Sequence, residues 1–355
     1  MEFLTADSTL IALMGAAGGI ALGLAARLGR FCTLGAIEDA LYGGSTVRLG
    51  MWFWAIGVAV LGTFTLLGFG VFDAQESFYL SRPFSLAASV LGGLTFGYGM
   101  ALAGNCGFGA IARLGGGDLR SFVIVLVMGI TSYSVLSGPF ALIRVWAFPA
   151  NQTTENPAGI AHGLSTLTGV SPTVFGLVIG ILICIAALSR SSLITAPKSL
   201  FWATIVGFSI VSGWAGTAWI AHTGFDDVSV ISHTFSAPIG ETILYAMLSS
   251  GLGLSFGVGS VAGVWVGAFI GSLIKGHFRW EACEDPRELR RQIFGAVLMG
   301  IGAVIATGCT IGQGISAFSL LSYSAPVTLV AIFAGCALGL KQLIEGFTFL
   351  SKNRA

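Results

Sequence analysis

Apolar stretches of roughly twenty residues, the length that crosses a hydrocarbon core, recur along the chain from Thr9 to Phe347. A soluble fold cannot bury that many such runs, and no stretch between them is long enough for a separate soluble domain. Composition agrees: 55% of the 355 residues are hydrophobic and 9% are charged, against about a quarter charged in soluble domains. The expected fold class is therefore all-α integral membrane, with the lipid bilayer as solvent. Nine crossings are expected near residues 8–28, 50–71, 84–105, 119–147, 172–189, 198–222, 251–275, 292–308 and 325–346.

The chain reads as one transmembrane transporter domain over 1–355, with a first half over 1–148 and a second over 172–350. Its net charge of +1 gives no basic stripe for a nucleic acid. The first apolar run is preceded by Glu2 and Asp7 and followed by Arg27 and Arg30, the reverse of a secretory signal's charge order, so it reads as a retained span. Cytoplasmic loops collect Lys and Arg. An external N-terminus and a cytoplasmic C-terminus put 15 of the 17 basic residues inside, leaving Arg82 and Arg144 outside.

An internal repeat is the next constraint. At an offset of 203 residues, Gly92, Gly97, Gly99, Ala103, Cys106 and Gly109 match Gly295, Gly300, Gly302, Ala306, Cys309 and Gly312. The spans leading to the two cysteines run in opposite directions, which makes the copies inverted. Inverted repeats are a transporter architecture whose site lies near the midplane, where discontinuous helices point their ends at the ligand. In each copy a short Gly-containing segment follows the cysteine (residues 107–117 and 310–323), too short to cross and so expected as a re-entrant half-helix. Arg30-Phe31-Cys32-Thr33-Leu34-Gly35 is a third instance, and a degenerate fourth is expected near Ser212 to Gly216, around Trp214.

Six cysteines stand in the chain with no CxxC pair, so neither a zinc ribbon nor a disulfide framework is indicated, and no metal or cofactor is expected. Cys184 and Cys336 read as packing residues, and Cys283 as a reduced thiol in the charged loop from Lys275 to Arg291, a solvated linker or a docking surface. Arg30 is either a snorkelling anchor or an anion guide. Asn105, Thr310 and Gln313 either contact substrate or satisfy broken backbone. His222 and Glu241 are candidates for proton coupling.

Arg30-Phe31-Cys32, Gly104-Asn105-Cys106-Gly107 and Gly308-Cys309-Thr310-Ile311-Gly312, in that order, make the chain resemble the YeeE/YedE family of bacterial membrane proteins, also called the sulfur-transport family. Its best-understood members take up thiosulfate. The resemblance implies an hourglass-shaped fold of nine spanning helices with half-helices entering from both faces, in the bacterial cytoplasmic (inner) membrane. It also implies a central path with functional cysteines at Cys32, Cys106 and Cys309, flanked by Gly107 and Gly308. The substrate it implies is a small sulfur anion, with selenium species left open, and a cytoplasmic TusA-like sulfurtransferase is a candidate partner.

Two chemistries are compatible with such thiols. They stay protonated and hydrogen-bond a passing anion, or a thiolate attacks its sulfur covalently. A rival function is a membrane sulfur relay that passes persulfide sulfur between proteins without moving a free solute. The expected activity is transport, not enzymatic turnover.

Overall fold

The computed structural model describes residues 6–149, 157–190, 192–224, 228–283 and 285–346. Glu2, Asp226, Asp227, Lys352 and Arg354 lie outside the described residues, as do residues 150–156. All named elements are helical, as the composition requires. The first half runs α1 (Ala6–Leu28), a short α2 (Thr33–Glu38), α3 (Val47–Gly68), α4 (Leu86–Ala103), a short α5 (Gly107–Leu114) and α6 (Leu119–Leu136). Then come α7 (Ala141–Ala147), α8 (Ile160–Thr168) and α9 (Pro172–Arg190). The second half runs α10 (Pro197–Thr223), α11 (Ala237–Leu248), α12 (Phe256–Ile274), α13 (Pro286–Ile305), a π-wound segment Gly312–Ala317 and α14 (Ser324–Glu345).

Among the described residues, eight helical stretches are long and apolar enough to cross a membrane, beginning at Asp7, Val47, Leu86, Leu119, Pro172, Pro197, Phe256 and Ser324. The crossing expected over 292–308 corresponds to α13, whose first turns carry Arg287, Glu288, Arg290 and Arg291, so only its later turns are apolar. The crossing expected over 119–147 is broken between α6 and α7, where Gly138 and Pro139 interrupt the chain.

Small residues let the helices approach closely, because bilayer lipid supplies no hydrophobic drive between apolar helices and contact area must come from close packing. Gly15, Gly19 and Gly23 of α1 face Gly259, Gly263 and Gly267 of α12. A Cβ on Gly19 would lie 2.3 Å from the Ser260 carbonyl oxygen, and one on Gly263 would lie 2.3 Å from that of Ala16. Helix α10 packs on α3 as α12 does on α1, and α4 packs on α14 as α13 does on α6. The short helices are held inside this frame. Phe31, Cys106, Phe108, Cys309 and Ile311, at or next to their starts, are all buried in one apolar core.

Candidate functional site

One local geometry is built three times. A helix ends at a residue in the left-handed region: Arg30 (φ 57°), Gly104 (φ 76°) and Thr307 (φ 57°). Two residues on stands a cysteine that opens the next short helix. Its sulfur accepts a hydrogen bond from the backbone N–H of a glycine three positions later: Gly35 at 3.5 Å, Gly109 at 3.4 Å and Gly312 at 3.5 Å. Cys32 and Cys106 are the N-caps of α2 and α5. Ser, Thr, Asp and Asn cap better, since oxygen accepts from an amide more strongly than sulfur. Three cysteines in this role therefore point to chemistry rather than to helix stability.

Left-handed backbone costs a non-glycine residue about 1–2 kcal/mol, and a β-branched residue there is an outlier. Arg30 and Thr307 both bear this strain two residues before a cysteine, the sort of place where backbone strain gathers around function.

The three turns converge. Cys106 and Cys309 are each 1% exposed, and Cys106 lies within electrostatic reach of both Cys32 and Cys309. The Thr33 hydroxyl, one residue past Cys32, is 4.0 Å from the Cys106 sulfur. Thr310, one residue past Cys309, is buried beside the Cys106 thiol, and its hydroxyl lacks a well-formed hydrogen bond. Cys309 also receives the Phe235 N–H at 3.3 Å and meets the Thr234 hydroxyl at 3.7 Å. Asn105 is 2% exposed and its side-chain oxygen has no hydrogen-bond partner among the described residues. Gly107 and Gly308 are packing positions: a Cβ would lie 2.8 Å from the Met128 sulfur and 3.0 Å from the Gln313 side chain respectively. The Gln313 amide nitrogen is engaged by Ala306 and Thr307.

Two cavities open towards this centre. One, of about 390 Å³, is lined by Cys32, Asn105 and a basic set comprising Arg27, Arg30, Arg48, Arg113 and Lys275, with Glu38 as the one carboxylate among the described lining residues. Lys275 caps the end of α1 by donating to the Arg27 and Leu28 carbonyls at 2.5 and 3.3 Å. Burial, then Arg30 and Arg27, pull its ammonium below the usual lysine range. The other cavity, of about 380 Å³, holds Arg82 and Arg144 together with Tyr79, Thr307, Ser322 and Ser324, and no acidic residue lines it among the described residues. Burial, then the neighbouring Arg144, hold Arg82 below its ordinary value. Tyr79 joins this cavity to the centre, since it reaches Thr234 and lies near Cys309.

Sequence reasoning missed Tyr79, Thr234 and Phe235, and it misplaced the fourth half-helix. The Ser212 to Gly216 region lies inside the unbroken α10, where Trp214 is fully buried and donates to Ser319 at 3.1 Å. Phe235, just before α11, stands 203 positions after Cys32, so the same offset carried further leads to it. The two candidates for proton coupling stand apart: His222 meets Glu76 at 3.3 Å, whereas Glu241 is beside Ser255. All six cysteines are free thiols. Cys184 packs against Gly57, and Cys336 is fully buried.

A family model described as "Sulphur transport" matches residues 28–338. A protein of Escherichia coli named "Thiosulfate transporter TsuA" is 27% identical over 339 residues, covering 91% of this chain and 92% of that protein. One of the same name from Spirochaeta thermophila is 24% identical over 323 residues, covering 88% and 94%.

Proposed function

The chain belongs to the sulphur transport family, and from that premise we propose that it takes up thiosulfate across the bacterial inner membrane along a path lined by Cys309, Cys106 and Cys32. The carrying observation is the placement of buried Cys106 within reach of both other cysteines, between two arginine-bearing cavities. In order along the path stand Arg82 and Arg144, Tyr79, Thr234 with Cys309, Thr310 with Cys106, Thr33 with Cys32, then Asn105 and the basic inner cavity with Arg30.

Thiosulfate is a dianion with a soft terminal sulfur, and removing it from water costs far more than scattered contacts return. Aligned donors offset that cost. The starts of the short helices favour an anion, and each cysteine sulfur is already an acceptor for a backbone N–H. Its S–H is therefore free to donate to the passing ion, with a polarizable atom facing the substrate's soft end. Protonated thiols fit this work better than thiolates, which would repel a dianion. A persulfide on Cys106 after exposure to thiosulfate, seen by mass spectrometry, would reverse that choice in favour of a sulfur relay.

An inverted two-fold repeat is the architecture we infer. Exchanging α1 to α4 and α6 for α10 to α13 and α14 turns the packed pair α1 with α12 into α10 with α3, and α4 with α14 into α13 with α6; both pairs are present. Under the same exchange α2 corresponds to α11, and α5 to the segment after Cys309. Orientation follows from charge, with the five-cation cavity cytoplasmic and the Arg82–Arg144 cavity external.

Each negative charge moved inward against ~100 mV costs roughly 2.3 kcal/mol. Uptake of a dianion is therefore driven by a coupled cation or by rapid consumption inside, for which a TusA-like sulfurtransferase is suited. The test is uptake into proteoliposomes, comparing thiosulfate with sulfate, which has the same charge but no soft sulfur. Thiosulfate is expected to enter much faster; equal flux of the two would sink the role of the thiols.

A further inference from the structure

Thr307 holds an unfavourable backbone conformation, and one side chain accounts for how it is kept there. Gln313 is completely buried, six positions further on. Its amide nitrogen lies 2.9 Å from the Ala306 carbonyl oxygen, 2.9 Å from the Thr307 hydroxyl and 3.4 Å from the Thr307 carbonyl oxygen. The Thr307 hydroxyl donates in turn to the Ala306 carbonyl at 2.7 Å. The Gln313 carbonyl oxygen accepts from Ser324 at 3.2 Å, Ser324 meets Ser322 at 3.1 Å, and Ser322 donates to the Tyr79 carbonyl at 3.3 Å. Ala306, Thr307, Ser322 and Ser324 all line the cavity that holds Arg82 and Arg144. On the far side of the same turn stands Cys309.

We propose that Gln313 is a positioning residue whose carboxamide latches the left-handed Thr307 turn, and that this latched turn is the closed floor between the outer cavity and the Cys309 thiol. The inference refines the transport reading above and rests on it for the direction of flow. With its amide hydrogens committed to the turn, Gln313 acts on the anion through Thr307 and Cys309, not by touching it. A latch that stores backbone strain opens readily once the Thr307 hydroxyl turns from the Ala306 carbonyl to donate to an incoming oxyanion. Gly308 fits the same picture, since a side chain there would press on the Gln313 stem at 3.0 Å.

A double-mutant cycle decides the matter, because glycine accepts a positive φ without strain. Gln313→Ala, Thr307→Gly and the pair together are prepared in the full chain and checked for monodisperse folding. Two quantities are then read: KM and maximal rate of thiosulfate uptake, and the rate at which a small anionic methanethiosulfonate modifies Cys309 from the outer face, followed by mass spectrometry of that peptide. Gln313→Ala is expected to speed Cys309 modification by roughly tenfold, the factor that strain of this kind carries, and to impair uptake. Thr307→Gly is expected to make Gln313 dispensable, so that the double variant takes up substrate as Thr307→Gly alone does.

A Gln313→Ala defect undiminished in the glycine background would overturn the proposal and make Gln313 a direct substrate contact. Unchanged Cys309 modification in Gln313→Ala would overturn it as well. The modification assay does not use thiosulfate, so it stands even if the substrate is a different anion.

Discussion

The backbone N–H of Phe235 donates to the Cys309 sulfur at 3.3 Å, although the two residues are 74 positions apart. With Gly312 supplying a second N–H at 3.5 Å, both backbone donors around this thiol point at sulfur and leave its own hydrogen for another acceptor. The loop before α11 and the turn after α13 thus form one site between them.

Replacing Cys309 or Cys106 by alanine is expected to lower thiosulfate uptake by about tenfold or more, the loss of one charge-assisted hydrogen bond at the centre of the path. Folding survives, because losing a weak cap costs only ~1 kcal/mol. Cys184→Ala, whose thiol packs on Gly57 away from the site, serves as the control with normal uptake. Wild-type rates in Cys309→Ala would remove the cysteine from the mechanism.

Arg82 and Arg144 are the two basic residues that charge bias leaves outside, and they share one cavity that no carboxylate lines among the described residues. Arg144→Gln is expected to raise the KM for thiosulfate roughly fivefold at low ionic strength, with little change in maximal rate. The effect shrinks in 0.5 M salt as the field is screened over about 10 Å or less. A KM insensitive to both the variant and the salt would mean that the cavity does not gather anions.

Gly19 and Gly263 are two of the places where α1 and α12 touch backbone to backbone. A leucine at either forces the helices apart and is expected to cost about 1–3 kcal/mol or more, seen as a lower melting temperature and aggregation in detergent. Normal melting of Gly263→Leu would show that the helices pack less closely than described.

Cys283 is partly exposed in the charged loop before α13, with its thiol donating to the Asp285 carbonyl at 3.3 Å. A membrane-impermeant maleimide is expected to label it in inside-out vesicles and not in intact spheroplasts. The opposite pattern would invert the assigned orientation and exchange the outer and inner cavities.

The sequence by itself determined the class of the molecule. Runs of about twenty apolar residues leave a chain no choice but a bilayer, and the repeated glycines and cysteines at an offset of 203 marked Cys106 and Cys309 as equivalent points. It also made the turns readable in part, because Gly104 before Cys106 is the residue that a left-handed helix end favours. Arg30 and Thr307 gave no such sign. Their backbone conformation is unfavourable taken alone, and that of Thr307 is held by Gln313, a contact that no local pattern announces.

Trp214 shows the same limit from the other side. Local pattern suggested a break there, but α10 runs through it unbroken and the next helix, α11, begins after Phe235. Tertiary structure alone decided that Thr234 and Phe235 meet Cys309, that Thr33 meets Cys106, and that Arg82 and Arg144 share a cavity. Periodicity and composition report how each segment meets its solvent, whereas these pairings join residues far apart in the chain and exist only once the helices have packed.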